Sequence, residues 1–208
     1  EANRIVHPDV LQVNQPLTIP LPWACQGSTR SPTMTSTHNQ IAFFSGGPRH
    51  AGGGGARAYQ YPSGYIYVMD ADGGNVRRLT EYRRPIGAMA WSPDGTRIMF
   101  VSFRDGDDAI YVMDADGGNV RQLTEGPGQD RNPTWSPDGT QIAFVKNRDG
   151  DTSIYIMDAD GGNIRRVTDD PGADGAPAWS ADGSQITFVW RLGIGWGDDI
   201  YIMDADGS

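Results

Sequence analysis

The sequence is built on an internal repeat. IYVMDADGGNVRRLT at positions 66–80 returns as IYVMDADGGNVRQLT at 110–124 and as IYIMDADGGNIRRVT at 154–168, and IYIMDADGS begins again at Ile200. Trp91, Trp135 and Trp179 fall 44 residues apart, as do Asp70, Asp114 and Asp158. A period in the forties defines a unit too small to bury its own apolar faces, so neighbouring units must stack on it. Residues 132–168 show one unit: the apolar runs PTW, QIAFV, SIYIM and NIRRVT are separated by S-P-D-G, R-D-G-D and DADGG. Asp-Gly between β-branched and aromatic runs marks a hairpin, because glycine supplies the positive φ that such turns need. The runs are apolar on both faces, Ile110 with Val112 on one and Tyr111 with Met113 on the other. A strand of that kind lies in a sheet covered on both sides. The expected fold is therefore all-β: a β-propeller of four-stranded antiparallel blades.

About four blades are present, near 31–80, 86–124, 131–168 and 175–208, after an N-terminal extension over 1–30. Pro16, Pro20 and Pro22 give that extension an extended or irregular path. The first unit has Met34 where the others have Trp, and it carries 13 extra residues in the tract GGPRHAGGGGARAYQYPSG. The fourth copy reaches Ser208 before an outer strand like NVRRLT, which leaves the edge of IYIMD to be covered. Three arrangements would do so. A strand near residues 4–13 closes the last blade, or it pairs with a neighbouring subunit in a dimeric ring or filament, or the chain is part of a longer propeller.

The pattern P-x-W-S-P-D-G-x-x-I-x-F-V followed by I-Y-x-M-D-A-D-G-G-N-x-R-x-L-T resembles the WD-like repeat of TolB-type propellers, from about Ser31 onward. Such repeats occur in a periplasmic protein, in peptidase-associated propellers and in many secreted bacterial proteins. The resemblance thus implies a fold and an extracellular or periplasmic setting, and it leaves function open. Propellers of this family usually have six or more blades, whereas this sequence supplies about four.

Bulk properties narrow the remaining classes. A net charge of −9 argues against a nucleic-acid or anionic-membrane surface. Cys25 is the only cysteine, so an internal disulfide framework and a cysteine-rich metal site are excluded. The segment W-A-C at 23–25 lacks the apolar stretch that a lipid-attachment site has upstream, and no apolar run is long enough for a membrane span.

Successive antiparallel strands reverse direction, so the first and third turns of every unit share one end of the propeller. That end carries S-P-D-G and DADGG and is nearly identical from unit to unit. The other end carries the second turn and the link between units, where the sequence varies. Recognition concentrates on variable loops held by a rigid scaffold, and aromatic and Arg residues contribute most of the binding energy. The candidate ligand- or partner-binding residues are accordingly Arg49, His50, Arg57, Tyr59, Tyr61 and Tyr82, with Arg83, Arg84, Trp190, Arg191 and Trp196.

The aspartate turns are explained by hairpin geometry. Calcium is the alternative, since Asp-x-Asp-Gly resembles the start of a helical calcium loop, but no Glu follows at the twelfth position. No cofactor and no catalytic residue is assigned. G-x-S-x-G and H-E-x-x-H are absent, and His7, His38 and His50 lie outside the regular units. The arginine pairs Arg77–Arg78 and Arg165–Arg166 are expected to keep an outer edge charged and soluble. These features favour a non-catalytic protein-binding or assembly module that self-associates by strand exchange or binds protein, with carbohydrate as another ligand. A polysaccharide lyase or hydrolase propeller using His50, Tyr59 and Tyr61 is one alternative. A structural subunit of an extracellular fibre or surface layer is another.

Overall fold

The computed structural model describes residues 34–37, 39–46, 63–81, 84–103, 107–148, 150–168, 175–190 and 199–207. The N-terminal extension and most of the glycine tract lie outside the described residues. All secondary structure among the described residues is β, in fifteen strands.

The first unit comprises β1 (Met34–Thr37), β2 (Gln40–Gly46), β3 (Ser63–Asp70) and β4 (Arg77–Arg78). The second holds β5 (Arg84–Trp91), β6 (Arg97–Phe103), β7 (Asp108–Asp114) and β8 (Arg121–Gln122). The third holds β9 (Gln129–Trp135), β10 (Gln141–Arg148), β11 (Asp151–Asp158) and β12 (Arg165–Arg166), and the fourth β13 (Gly175–Trp179), β14 (Gln185–Trp190) and β15 (Asp199–Asp204). Within each unit successive strands pair antiparallel, in registers that superimpose on the repeat: Val101 faces Ile110, Val145 faces Ile154 and Val189 faces Ile200. The first strand of the third unit begins earlier than PTW, and a bulge separates its two paired stretches. The positive φ of Asn132, 48°, falls in that interval, as does that of Ala176, 49°, in the fourth unit.

Alternation along the strands gives every sheet two apolar faces. One carries Ile and Met with a Phe–Tyr pair. These pairs recur at centroid distances of 5.5 Å (Phe43–Tyr67), 5.6 Å (Phe100–Tyr111), 5.8 Å (Phe144–Tyr155) and 6.0 Å (Phe188–Tyr201). The opposite face is mostly aliphatic. Stacking sets the aliphatic face of one unit against the aromatic face of the next. Ile66 and Val68 share a buried cluster with Ile98, Phe100, Tyr111 and Met113. Met99, Val101, Ile110 and Val112 meet Ile142, Phe144 and Met157. Ala143 and Ile156 meet Ile186, with Met203 packed beside them. The strands of the second and third units are apolar on both sides because each belongs to two interfaces.

Candidate functional site

At the end where the repeats agree, the turns are consumed by their own hydrogen bonds. In S-P-D-G the Ser92 hydroxyl donates to Asp94 (2.5 Å) and accepts the Arg97 N–H (3.0 Å), while the Thr96 N–H donates to the same carboxylate (3.0 Å). Ser136, Asp138 and Thr140 repeat this arrangement, as do Ser180, Asp182 and Ser184. These donors favour the ionised carboxylate. The Ser92 and Ser136 hydroxyls, followed by a backbone N–H, hold Asp94 and Asp138 below the usual carboxylate range. The Ser180 hydroxyl and the Ser184 N–H lower Asp182 to about 2.

In DADGG the first aspartate binds the asparagine that ends the turn: Asn75 to Asp70, Asn119 to Asp114 and Asn163 to Asp158, each at 2.6 Å. The asparagines sit at φ 50°, 49° and 52°, a region Asn tolerates because its amide can bond locally. The third residue, Asp72, Asp116 or Asp160, accepts the N–H of the glycine two positions on. Among the described residues no three His, Cys, Asp or Glu side chains are placed to hold a metal ion.

The backbone of this turn is also the receptor for the preceding unit. Arg77 donates to the carbonyl of Ala115 (3.0 Å), Arg121 to that of Asp160 (2.9 Å), and Arg165 to those of Ala205 (2.8 Å) and Asp206 (2.9 Å). Beside each contact a turn glycine approaches the last aliphatic residue of the preceding sheet. A Cβ on Gly117, at φ 94°, would stand 2.7 Å from the Leu79 carbonyl, and one on Gly161 would stand 3.0 Å from that of Leu123. This corrects the role expected of the arginine pairs. The first arginine of each pair is a clasp between units and not simply an edge charge. The second turns inward on its own sheet: Arg78 lies 4.9 Å over the Tyr65 ring and Arg166 pairs with Asp151 at 3.2 Å. The arginine-to-turn spacing was visible in the sequence, but its target lies about 39 residues away, beyond any local motif.

The opposite end is built differently in each unit. At one second-strand position Ser102, Lys146 and Trp190 succeed one another, each 44 residues on. Two ion pairs lie here, one joining the second and third units and one within the third. Arg131 binds Asp108 (2.8 Å), and Lys146 binds Asp130 (3.0 Å), both members of that second pair being buried. Ser153, opposite Lys146 in the ladder, is buried with its hydroxyl unbonded among the described residues. Charges so placed are retained only with partners, and losing one partner strands the other. These four charged residues were missed in the sequence. The available signal was in Arg131 and Lys146, which stand where neighbouring units carry Gly87 and Gly175, and Ser102 and Trp190.

With this geometry in view, the chain can be set beside known proteins. A family model described as the TolB beta propeller domain matches residues 54–208, about three quarters of the chain. The chain belongs to that family. The Tol-Pal system protein TolB of Nitrosomonas europaea is 55% identical over 38 residues, 18% of this chain and 9% of that protein. That of Bordetella pertussis is 44% identical over 52 residues, 24% of this chain and 12% of the relative. Each of these matches spans only a small part of the relative's length. Among solved structures, a putative TolB from Agrobacterium tumefaciens superposes with TM-score 0.65 at 28% identity, over 81% of this chain and 58% of that one. An oligogalacturonate lyase in complex with manganese gives TM-score 0.65 at 17% identity, over 86% of this chain and 51% of the lyase, a likeness of fold alone.

In this TolB-family propeller the two candidate residues within the described structure both lie at the variable end. Arg84 opens β5, where its backbone pairs with Gly64. Trp190 closes β14 opposite Asp199, with its ring edge-on to Tyr201 at 5.2 Å. Arg49, His50, Arg57, Tyr59, Tyr61, Tyr82, Arg83, Arg191 and Trp196 lie outside the described residues.

Proposed function

We propose that this TolB-family propeller is a non-catalytic, periplasmic protein-binding module. Recognition falls to the variable end. The observation that carries the proposal is the division of labour between the two ends. The turns that repeat are occupied by bonds within units and between them, so the end that differs from unit to unit is the one left to distinguish a partner. Buried, unit-specific ion pairs such as Lys146–Asp130 hold that end rigid, which lowers the ordering cost of binding. The partial relatives are named as Tol-Pal system proteins, which makes Pal the first partner to test.

Titration of the chain with Pal from the same organism, followed by calorimetry, tests this. Saturable binding is expected, weakened about tenfold or more by Trp190→Ala with Arg191→Ala, a loss of about 1.4 kcal/mol per decade. Asp116→Ala on the repeated end should leave the affinity unchanged. Failure to bind Pal overturns the Tol-Pal assignment. Binding that Asp116→Ala impairs and the loop substitutions do not overturns the placement of the site.

A further inference from the structure

The joints between units are made of interchangeable parts. At each described joint an arginine reaches the carbonyls of the next DADG turn. The turn glycine seats against Leu79, Leu123 or Val167, and the apolar face of one sheet meets that of the next. None of these contacts distinguishes one unit from another. A chain of near-identical units therefore faces a problem of order. Through the same contacts the second unit can dock on the fourth, or the third on the first, within one chain or between two copies of it.

One element differs among the three described joints. Asp108, 5% exposed, accepts from Arg131 Nε (2.9 Å) and Nη2 (2.8 Å) across the second–third joint, where its backbone also pairs with Gln129. Counting back and forward by 44, the acid's place is taken by Gly64 and Thr152, and the base's by Gly87 and Gly175. At the first joint space itself excludes an acid, since a Cβ on Gly64 would stand 2.4 Å from the Ser45 carbonyl. The neighbouring pair Lys146–Asp130 closes within the third unit, so the choice of partner rests on Asp108 and Arg131.

We propose that Asp108 and Arg131 are the recognition element of that joint, selecting the third unit as the only partner of the second. A second unit docked on the fourth would bury Asp108 against Gly175. A third unit docked on the first would set Arg131 against Gly64. Either mistake leaves a charge without its partner, whereas the correct joint satisfies both. The pair contributes order rather than adhesion, because replacing both members with neutral residues strands nothing. This inference is independent of Pal binding.

The test refolds the whole 208-residue chain from urea and counts assemblies by native mass spectrometry. Two single variants are used, Asp108→Thr and Arg131→Gly, each introducing the residue found at the third–fourth joint and leaving one charge alone. Refolded together in equal amounts, the two chains can exchange their third and fourth units. One joint then regains its acid and base, and the other carries the neutral combination. Heterodimers are expected about tenfold in excess of random pairing. Homodimers open the same link, so the ratio reports the pair alone. Asp108→Thr with Arg131→Gly in one chain should regain a urea midpoint close to that of the wild type, above that of either single variant. Heterodimers absent or at their random share, or a double variant with a midpoint no higher than those of the single ones, would each overturn the proposal.

Discussion

Gly117 and Gly73 hold the same place in the same turn, yet they answer to different constraints. Both have positive φ, 94° and 87°, but a Cβ on Gly117 would meet the Leu79 backbone whereas one on Gly73 would meet no described residue within 4 Å. Gly73→Ala should therefore cost about 1 kcal/mol for the left-handed conformation alone. Gly117→Ala should cost roughly 3 kcal/mol, since the clash between units adds to it. Urea denaturation of the two variants measures the difference. The turn aspartates make a second residue-scale prediction. Asp182 has its pKa lowered to about 2, so between that value and the unfolded value near 4 the unfolded chain binds more protons. Its contribution is present above about pH 4 and is lost as pH falls toward 2. Asp182→Asn should flatten the decline of the urea midpoint over that window. A wild-type slope retained by the variant would show that other groups set it.

Individual strands are held by partners that sequence patterns expose to different degrees. The hairpins were legible because D-G turns and two-sided apolar runs are local signals, and the pairing of the first turn with the third followed from strand direction. It is seen in the bonds from Ala115 to the Thr96 carbonyl and from Ala159 to that of Thr140. The outer strands read as charged edges, and their clasps stayed hidden because a carbonyl acceptor leaves no mark in sequence. Lys146 and Asp130 were hidden for a related reason: the two lie 16 residues apart on different strands, and only the bulged register of β9 on β10 aligns them. Two predictions belong at this scale. Thr124→Val leaves the buried Ile110 N–H without its acceptor and should destabilise the protein by about 1–3 kcal/mol in thermal or urea unfolding. Lys146→Met strands a buried carboxylate and should cost about 3–5 kcal/mol, while Lys146→Met with Asp130→Leu should recover most of that loss. A double variant as unstable as the single one would show that the pair contributes more than mutual neutralisation.

At the scale of the whole molecule, stability should not be uniform across the stack. The second and third units bury both faces, whereas Ile200 and Ile202 on the fourth are largely exposed. Fewer buried apolar contacts mean a lower local opening free energy. Amides of β14 should therefore exchange faster than those of β6 and β10 under native conditions; equal protection would mean that the described units unfold as one. The repeat made the stacked architecture and its family resemblance readable from the chain. The candidate site was less readable, because loops that vary have no period to follow and nine of the eleven candidates lie outside the described residues. The arginine clasp has one more consequence, and it concerns ancestry. Each described interface is directional: a unit reaches forward with its arginine and is held from behind at its glycine turn. Arg121 and Arg165 meet chemically equivalent carbonyls, so removing the third unit whole would leave Arg121 facing the turn at Ala205 and Asp206 with the same bonds to make. Gain or loss of a 44-residue block therefore keeps the clasp intact, the cost at this joint being Asp108, which would lose Arg131, and a lineage built from such blocks can change its length by duplication or deletion without first inventing a new clasp.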